Sequence, residues 1–331
     1  MPVPSQEETN NVNQPEGNQA TTSNNAADGD HNEGNRGPTT NDITIIDPEC
    51  LELDLNHGRV DKLQNFEPLT CIERLYLRWN LITKIENLDT LTTLIELELY
   101  DNQITKIENL GCLVNLEILD LSFNRIKTIE GLDNLVKLKK LFLSSNKIAK
   151  IENLSNIPSL DLLELGDNKI REIENLDELT TLRQLYLGKN KITKIKNLDS
   201  LKNLTCLSLQ SNRLTAIENL ENLKELTELY LSENGIENIE NLDANTKLET
   251  LDLAQNKIKS IDNIAHLTEL AEFWMNNNEV SDWATVEKMS ALKSLATVYL
   301  EKNPVAEDPM YRRKLKMIAP SLTQIDATLC R

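Results

Sequence analysis

The chain has 331 residues, 39% of them apolar but only 4% aromatic, and a formal net charge of -18. That charge argues against nucleic acid and anionic membrane as partners, since both want clustered Lys and Arg, and it favours a partner with basic patches. No window approaches the length of an apolar membrane span, so a soluble protein is expected.

The start, MPVPSQEETNN, has neither the basic region nor the apolar stretch of a secretory leader. Residues 1–42 are rich in Asn, Thr, Gly, Glu and Gln and almost free of large apolar side chains. They cannot offset the entropy of ordering, and a disordered acidic and polar tail is expected there. The five cysteines (Cys50, Cys71, Cys112, Cys206 and Cys330) fall at no paired spacing. Free thiols point to a reducing compartment.

Apolar residues return at Ile43, Ile45 and Ile46, followed by Leu51, Leu53 and Leu55. From there one unit of 22 residues is written again and again. Residues 116–137, LEILDLSFNRIKTIEGLDNLVK, show it best. Leu116, Leu119 and Leu121 stand at its first, fourth and sixth positions, Asn124 at the ninth, then Ile126, Ile129, Leu132 and Leu135. The asparagine is the ruler: Asn80, Asn102, Asn124, Asn146, Asn168, Asn190, Asn212, Asn234, Asn256 and Asn278 stand 22 apart without a slip. Residues 51–60 read as a degenerate first coil, with Gly58 in place of that asparagine.

Alternating apolar residues over 119–121 predict a short strand with one face in and one out. One coil cannot bury its own leucines, so coils must stack, with their strands side by side in a parallel sheet about 4.8 Å apart. A bulkier return bends the stack, and the strand face becomes concave. At each asparagine the chain turns inside the stack, where a side-chain amide can satisfy backbone groups that water cannot reach. The pattern resembles the leucine-rich repeat in its 22-residue class. The expected fold is therefore an α/β leucine-rich-repeat solenoid of about 12 coils over residues 43–303. It should carry a curved parallel sheet on the concave face and short helical or turn returns on the convex face. Most returns read close to K-I-E-N-L, and the rows of Lys and Glu this creates are expected to keep the convex side soluble.

The period breaks after Asn278, with 25 residues to Asn303. Val280, Trp283, Val286 and Met289 recur there at helical spacing, predicting a true helix packed on the core. Residues 304–331 are expected to form a C-terminal repeat cap, with Tyr311, Leu315 and Ile318 on one helical face and Leu322 and Ile325 folded over the open end. The Tyr-Arg pair, Pro320 and the Leu-x-x-Ile-Asp ending resemble the cap of intracellular leucine-rich-repeat proteins.

No phosphate loop, nucleophile elbow or metal-ligand spacing is present, and His31, His57 and His266 are scattered. The expectation is a non-enzyme with no cofactor and no metal. The informative positions are the outward-facing ones on the strands, which the scaffold leaves free. The fifth position of successive coils reads Tyr76, Glu98, Asp120, Phe142, Glu164, Tyr186, Ser208, Tyr230, Asp252, Trp274 and Tyr299. Exposed rings among carboxylates suit a protein interface, the rings as anchors and the charges setting orientation; cross-strand stacking that only stabilises the sheet is the competing reading.

With this row, the K-I-E-N-L returns and the cap, residues 43–331 resemble the leucine-rich-repeat regulatory subunits of protein phosphatase 1. The resemblance implies a non-catalytic subunit that binds the phosphatase catalytic subunit through Asp120, Phe142, Glu164, Tyr186, Asp252, Glu272, Trp274 and Tyr299. It further implies control of that enzyme's activity, maturation or location, inhibitor-3 as a co-partner, a monomer on its own, and a nuclear and cytoplasmic home. The short docking peptide usual in that phosphatase's regulators is absent, because no Phe or Trp has Val or Ile two residues before it. Binding would then have to come from the folded face. The alternative is an intracellular leucine-rich-repeat adaptor for a different protein partner.

Overall fold

The computed structural model describes Ile45 and residues 47–330, so the expected tail over residues 1–42 lies outside the described residues, as do Ile43 and Ile46. Twelve three-residue strands follow one another: β1 (Glu52–Asp54), β2 (Arg74–Tyr76), β3 (Glu96–Glu98), β4 (Ile118–Asp120), β5 (Lys140–Phe142), β6 (Leu162–Glu164), β7 (Gln184–Tyr186), β8 (Cys206–Ser208), β9 (Glu228–Tyr230), β10 (Thr250–Asp252), β11 (Glu272–Trp274) and β12 (Thr297–Tyr299). Two short strands, β13 (Gln324–Ile325) and β14 (Thr328–Leu329), complete a single sheet whose spatial order is the chain order. All pairs are parallel except the last, where β13 and β14 run antiparallel.

The middle residue of each strand points inward. Leu75, Leu119, Leu163, Leu207 and Leu251 are fully buried, and with the return residues they build one continuous core from Leu53 to Ile325. Each such leucine stabilises the stack by about 2 kcal/mol relative to leaving it in water. Leu51, at the second position of the first coil, is 52% exposed, and that position is not buried in the coils that follow either, as at Glu73, Ile95 and Lys139.

The ninth-position asparagines form the expected ladder. Asn124 donates from Nδ2 to the carbonyls of Leu99 (2.9 Å) and Leu121 (3.1 Å), and its Oδ1 accepts from the Ile104 amide (2.9 Å). The same pattern runs from Asn80 to Asn303. A second ladder stands in the returns, where the asparagine of K-I-E-N-L takes a left-handed backbone, as at Asn109 (φ 59°) and Asn175 (φ 57°). Its side chain donates one coil back, Asn109 to Ile85 O and Asn175 to Ile151 O, both at 2.7 Å. Asparagine is among the few side chains that reach this conformation at low cost. Gly131 replaces it once, at φ 70°, and there a Cβ would sit 2.7 Å from Ile107 O.

The returns of the 22-residue coils are turns and bends with no helix. The insert is also shorter than a full helix: α1 (Trp283–Val286) is four residues and gives way to a 3-10 segment over Glu287–Ala291. Three extra residues add about one such turn, and Val286, Met289 and Leu292 must still reach the core. The C-terminal end is closed by α2 (Tyr311–Ile318), with Tyr311 and Leu315 buried and Ile318 packed against them. Asp326 caps the last coil, accepting from the amides of Leu300 (2.9 Å) and Glu301 (3.0 Å) and from the Tyr311 hydroxyl (3.2 Å), and so replaces the carbonyl that a following coil supplies to the sixth-position amide elsewhere.

Candidate functional site

Because the strands pair without a register slip, the fifth positions fall on one line across the sheet. Asp120 stands beside Phe142, Phe142 beside Glu164 and Glu164 beside Tyr186. At the far end Asp252 stands beside Trp274 and Trp274 beside Tyr299. Glu272, two residues before Trp274, lies on the neighbouring line with Thr297. Seven of the eight residues singled out from the sequence thus share one row, and Glu272 flanks it. Phe142, Tyr186, Trp274 and Tyr299 are half-buried, presenting part of each ring to the concave surface.

Between the two groups the row passes through Ser208 and Tyr230. Tyr230 belongs to the aromatic cluster, with ring centroids 6.5 Å from Trp274, and Trp274 is 6.0 Å from Tyr299. Its hydroxyl donates to Glu228 Oε2 at 2.9 Å. The sequence holds the signal for Tyr230, a fifth-position ring, but not its contact with Trp274. Trp274 Nε1 is buried without a hydrogen-bond partner among the described residues.

The carboxylates of the row are unusually shielded. Asp252 and Glu98 are only 6% and 8% exposed. Burial raises the pKa of Asp120, Glu164, Asp252 and Glu98, in each case against hydrogen bonds that pull it down. Asp120 further raises Glu164. Only Glu98 has a cation in contact, with both of its oxygens 2.5 Å from the Arg78 guanidinium. Burial and the nearby acids also push the phenols up, Tyr76 to about 12. Like charges crowded on a partly dehydrated floor make a surface that gains when a cation arrives.

No group of three or more His, Cys, Asp or Glu side chains with metal-holding geometry occurs among the described residues. The Cys206 thiol, buried between Tyr186 and Glu228, is pushed up to about 12 and is no nucleophile.

Comparison with known proteins agrees with the fold. Two leucine-rich-repeat family descriptions match, "Leucine Rich repeats (2 copies)" over residues 92–134 and 246–288 and "Leucine-rich repeat" over residues 146–238. An internalin from Listeria monocytogenes superposes with a TM-score of 0.68 and 28% identity over 88% of this chain and 91% of that one. A leucine-rich-repeat protein of Leptospira interrogans does so with a TM-score of 0.70 and 24% identity over 83% and 75%. Among curated proteins, human protein phosphatase 1 regulatory subunit 7 is 57% identical over 49 residues, and the Danio rerio protein of that name 55% over 49. These matches span 15% of this chain and 14% of the relatives' length. Through its repeats and its coils the chain belongs to the leucine-rich-repeat proteins, and one short segment is similar to regulatory subunits of protein phosphatase 1.

Proposed function

We propose that the protein is a non-catalytic regulatory subunit whose concave acidic and aromatic face binds the catalytic subunit of protein phosphatase 1. The observation that carries this reading is the single in-register row of rings and shielded carboxylates, on a chain that resembles such regulators in its sequence. Phe142, Tyr186, Trp274 and Tyr299 would anchor, while Asp120, Glu164, Asp252 and Glu272 would select and orient a basic surface. Control of the enzyme's activity, maturation or location, inhibitor-3 as co-partner, a monomeric free state, and a nuclear and cytoplasmic location belong to the same proposal.

The test is a titration of the full chain against the phosphatase catalytic subunit, wild type beside Glu272→Ala/Trp274→Ala. Tight binding by the wild type should weaken by about 2 kcal/mol or more in the double variant, with circular dichroism unchanged. No binding by the wild type, where another regulator binds, would overturn the reading and leave a repeat adaptor for a different partner.

A further inference from the structure

Where each strand ends, the eighth residue of the coil takes a left-handed backbone, with φ between 51 and 57° from His57 to Lys302. Most coils place a small or polar residue there: Asp101, Ser145, Asp167, Ser211, Gln255, Asn277. Trp79 and Phe123 depart from this. A bulky ring is strained at positive φ, and both are open to water, 42% and 46% exposed.

Successive coils turn this departure into a strip. The His57 and Trp79 rings stack at 4.4 Å and 5°, Trp79 meets Tyr100 edge-on at 5.6 Å, and Tyr100 meets Phe123 at 4.8 Å. The contacts hold the rings in line but leave Trp79 and Phe123 uncovered. The strip runs along the rim of the first four coils, one position outside the asparagine ladder and apart from the fifth-position row.

Its surroundings are acidic. Asp101 lies between Trp79 and Phe123 in the eighth-position series, and the Tyr100 phenol is pushed up by burial first and then by Asp101, Asp120 and Glu164, against Arg78. The nearby cation, Arg78, is already paired with Glu98. Planar guanidinium groups, weakly hydrated and always charged, stack on exposed rings and pair with carboxylates at once. Within its own cap the chain sets an ammonium over a ring, Lys314 Nζ lying 4.6 Å over Trp283 while paired with Asp308, and a guanidinium adds the planar stacking that an ammonium lacks.

We propose that this rim strip is a second docking site, which takes an arginine-rich peptide segment of a partner protein, stacking its guanidinium groups on Trp79 and Phe123 and pairing them with Asp101. The site does not depend on the phosphatase reading, and its test uses the chain alone.

The experiment is fluorescence anisotropy of labelled nona-arginine and nona-lysine peptides with the full chain at about 0.15 M salt, where exposed charges further apart than about 8 Å are screened. Trp79→Ser/Phe123→Ser installs the residue that Ser145 and Ser211 already provide at this position, so its melting should not fall. It should bind nona-arginine at least tenfold more weakly, whereas Val136→Ser, at an exposed position on a return outside both surfaces, should bind it as the wild type does. In a Trp274→Phe/Trp283→Phe chain, Trp79 is the sole tryptophan, and its emission should change on adding nona-arginine. Equal affinity of the wild type and the double-serine variant, a silent Trp79, or equal binding of nona-lysine and nona-arginine would each overturn the assignment, reducing it to general attraction by an acidic protein.

Discussion

A single asparagine shows how much one side chain can hold. Asn168 joins the carbonyls of Leu143 and Leu165 and the amide of Ile148 in a place water does not reach. Asn168→Ala should lower stability by about 1–3 kcal/mol through those unpaired groups, read from a denaturant titration. The return ladder divides differently, since Asn175 supplies both a bond to Ile151 O and a left-handed backbone. Asn175→Gly should therefore cost less than Asn175→Ala, because glycine removes the strain and loses only the bond. The carboxylates of the concave row carry a pH signature. Glu164 is raised by burial first and by Asp120 second. A raised folded pKa contributes most to stability below the ordinary carboxylate value, and that contribution is lost as pH rises through the folded one. Glu164→Gln should thus melt above the wild type at about pH 7, with the gap narrowing as the pH falls and the wild-type carboxyl protonates.

At the scale of one coil, the return of the ninth unit holds a flaw. Asn245 is fully buried in a column where its neighbours one coil away are Leu223 and Leu267. Its Nδ2 donates to Leu220 O and Leu223 O, but Oδ1 has no partner among the described residues. Those carbonyls already accept from the Leu223 and Leu226 amides, so Asn245→Leu leaves nothing stranded. It should stabilise the protein by about 1 kcal/mol, visible as a higher denaturation midpoint. The insert shows the opposite case of spacing overruled by packing. Apolar residues at helical intervals predict a helix over residues 280–295, and the core does receive Val280, Val286 and Met289. Only one α-turn forms before the tighter 3-10 geometry, because the segment must begin and end in register with the coils on either side.

Over the whole molecule, each coil touches its neighbours and little else, so stability is nearly a sum along the stack and the ends matter most. Deleting residues 304–331 would uncover Val298 and Leu300, both fully buried. The truncated chain should aggregate at concentrations where the full chain stays monodisperse in light scattering. The two ends of the concave side also differ, with the Tyr230, Trp274 and Tyr299 cluster at one and the His57, Trp79, Tyr100 and Phe123 strip at the other.

By itself the sequence determined the repeat, the inward leucines, the asparagine ladder and the fifth-position row, because a constant period of 22 makes every coil report the same geometry. Asp120, Phe142 and Trp274 could be assigned to one line without coordinates for that reason. Tertiary structure alone decided what lies between coils at unlike positions. Tyr100, a seventh-position residue, bridges the eighth-position rings of Trp79 and Phe123, and no periodicity announces a contact between different columns. The same holds for the Arg78 pair with Glu98 and the missing partner of Trp274 Nε1. Side-chain reach and burial set these contacts, and both depend on the curvature of the finished stack rather than on spacing along the chain.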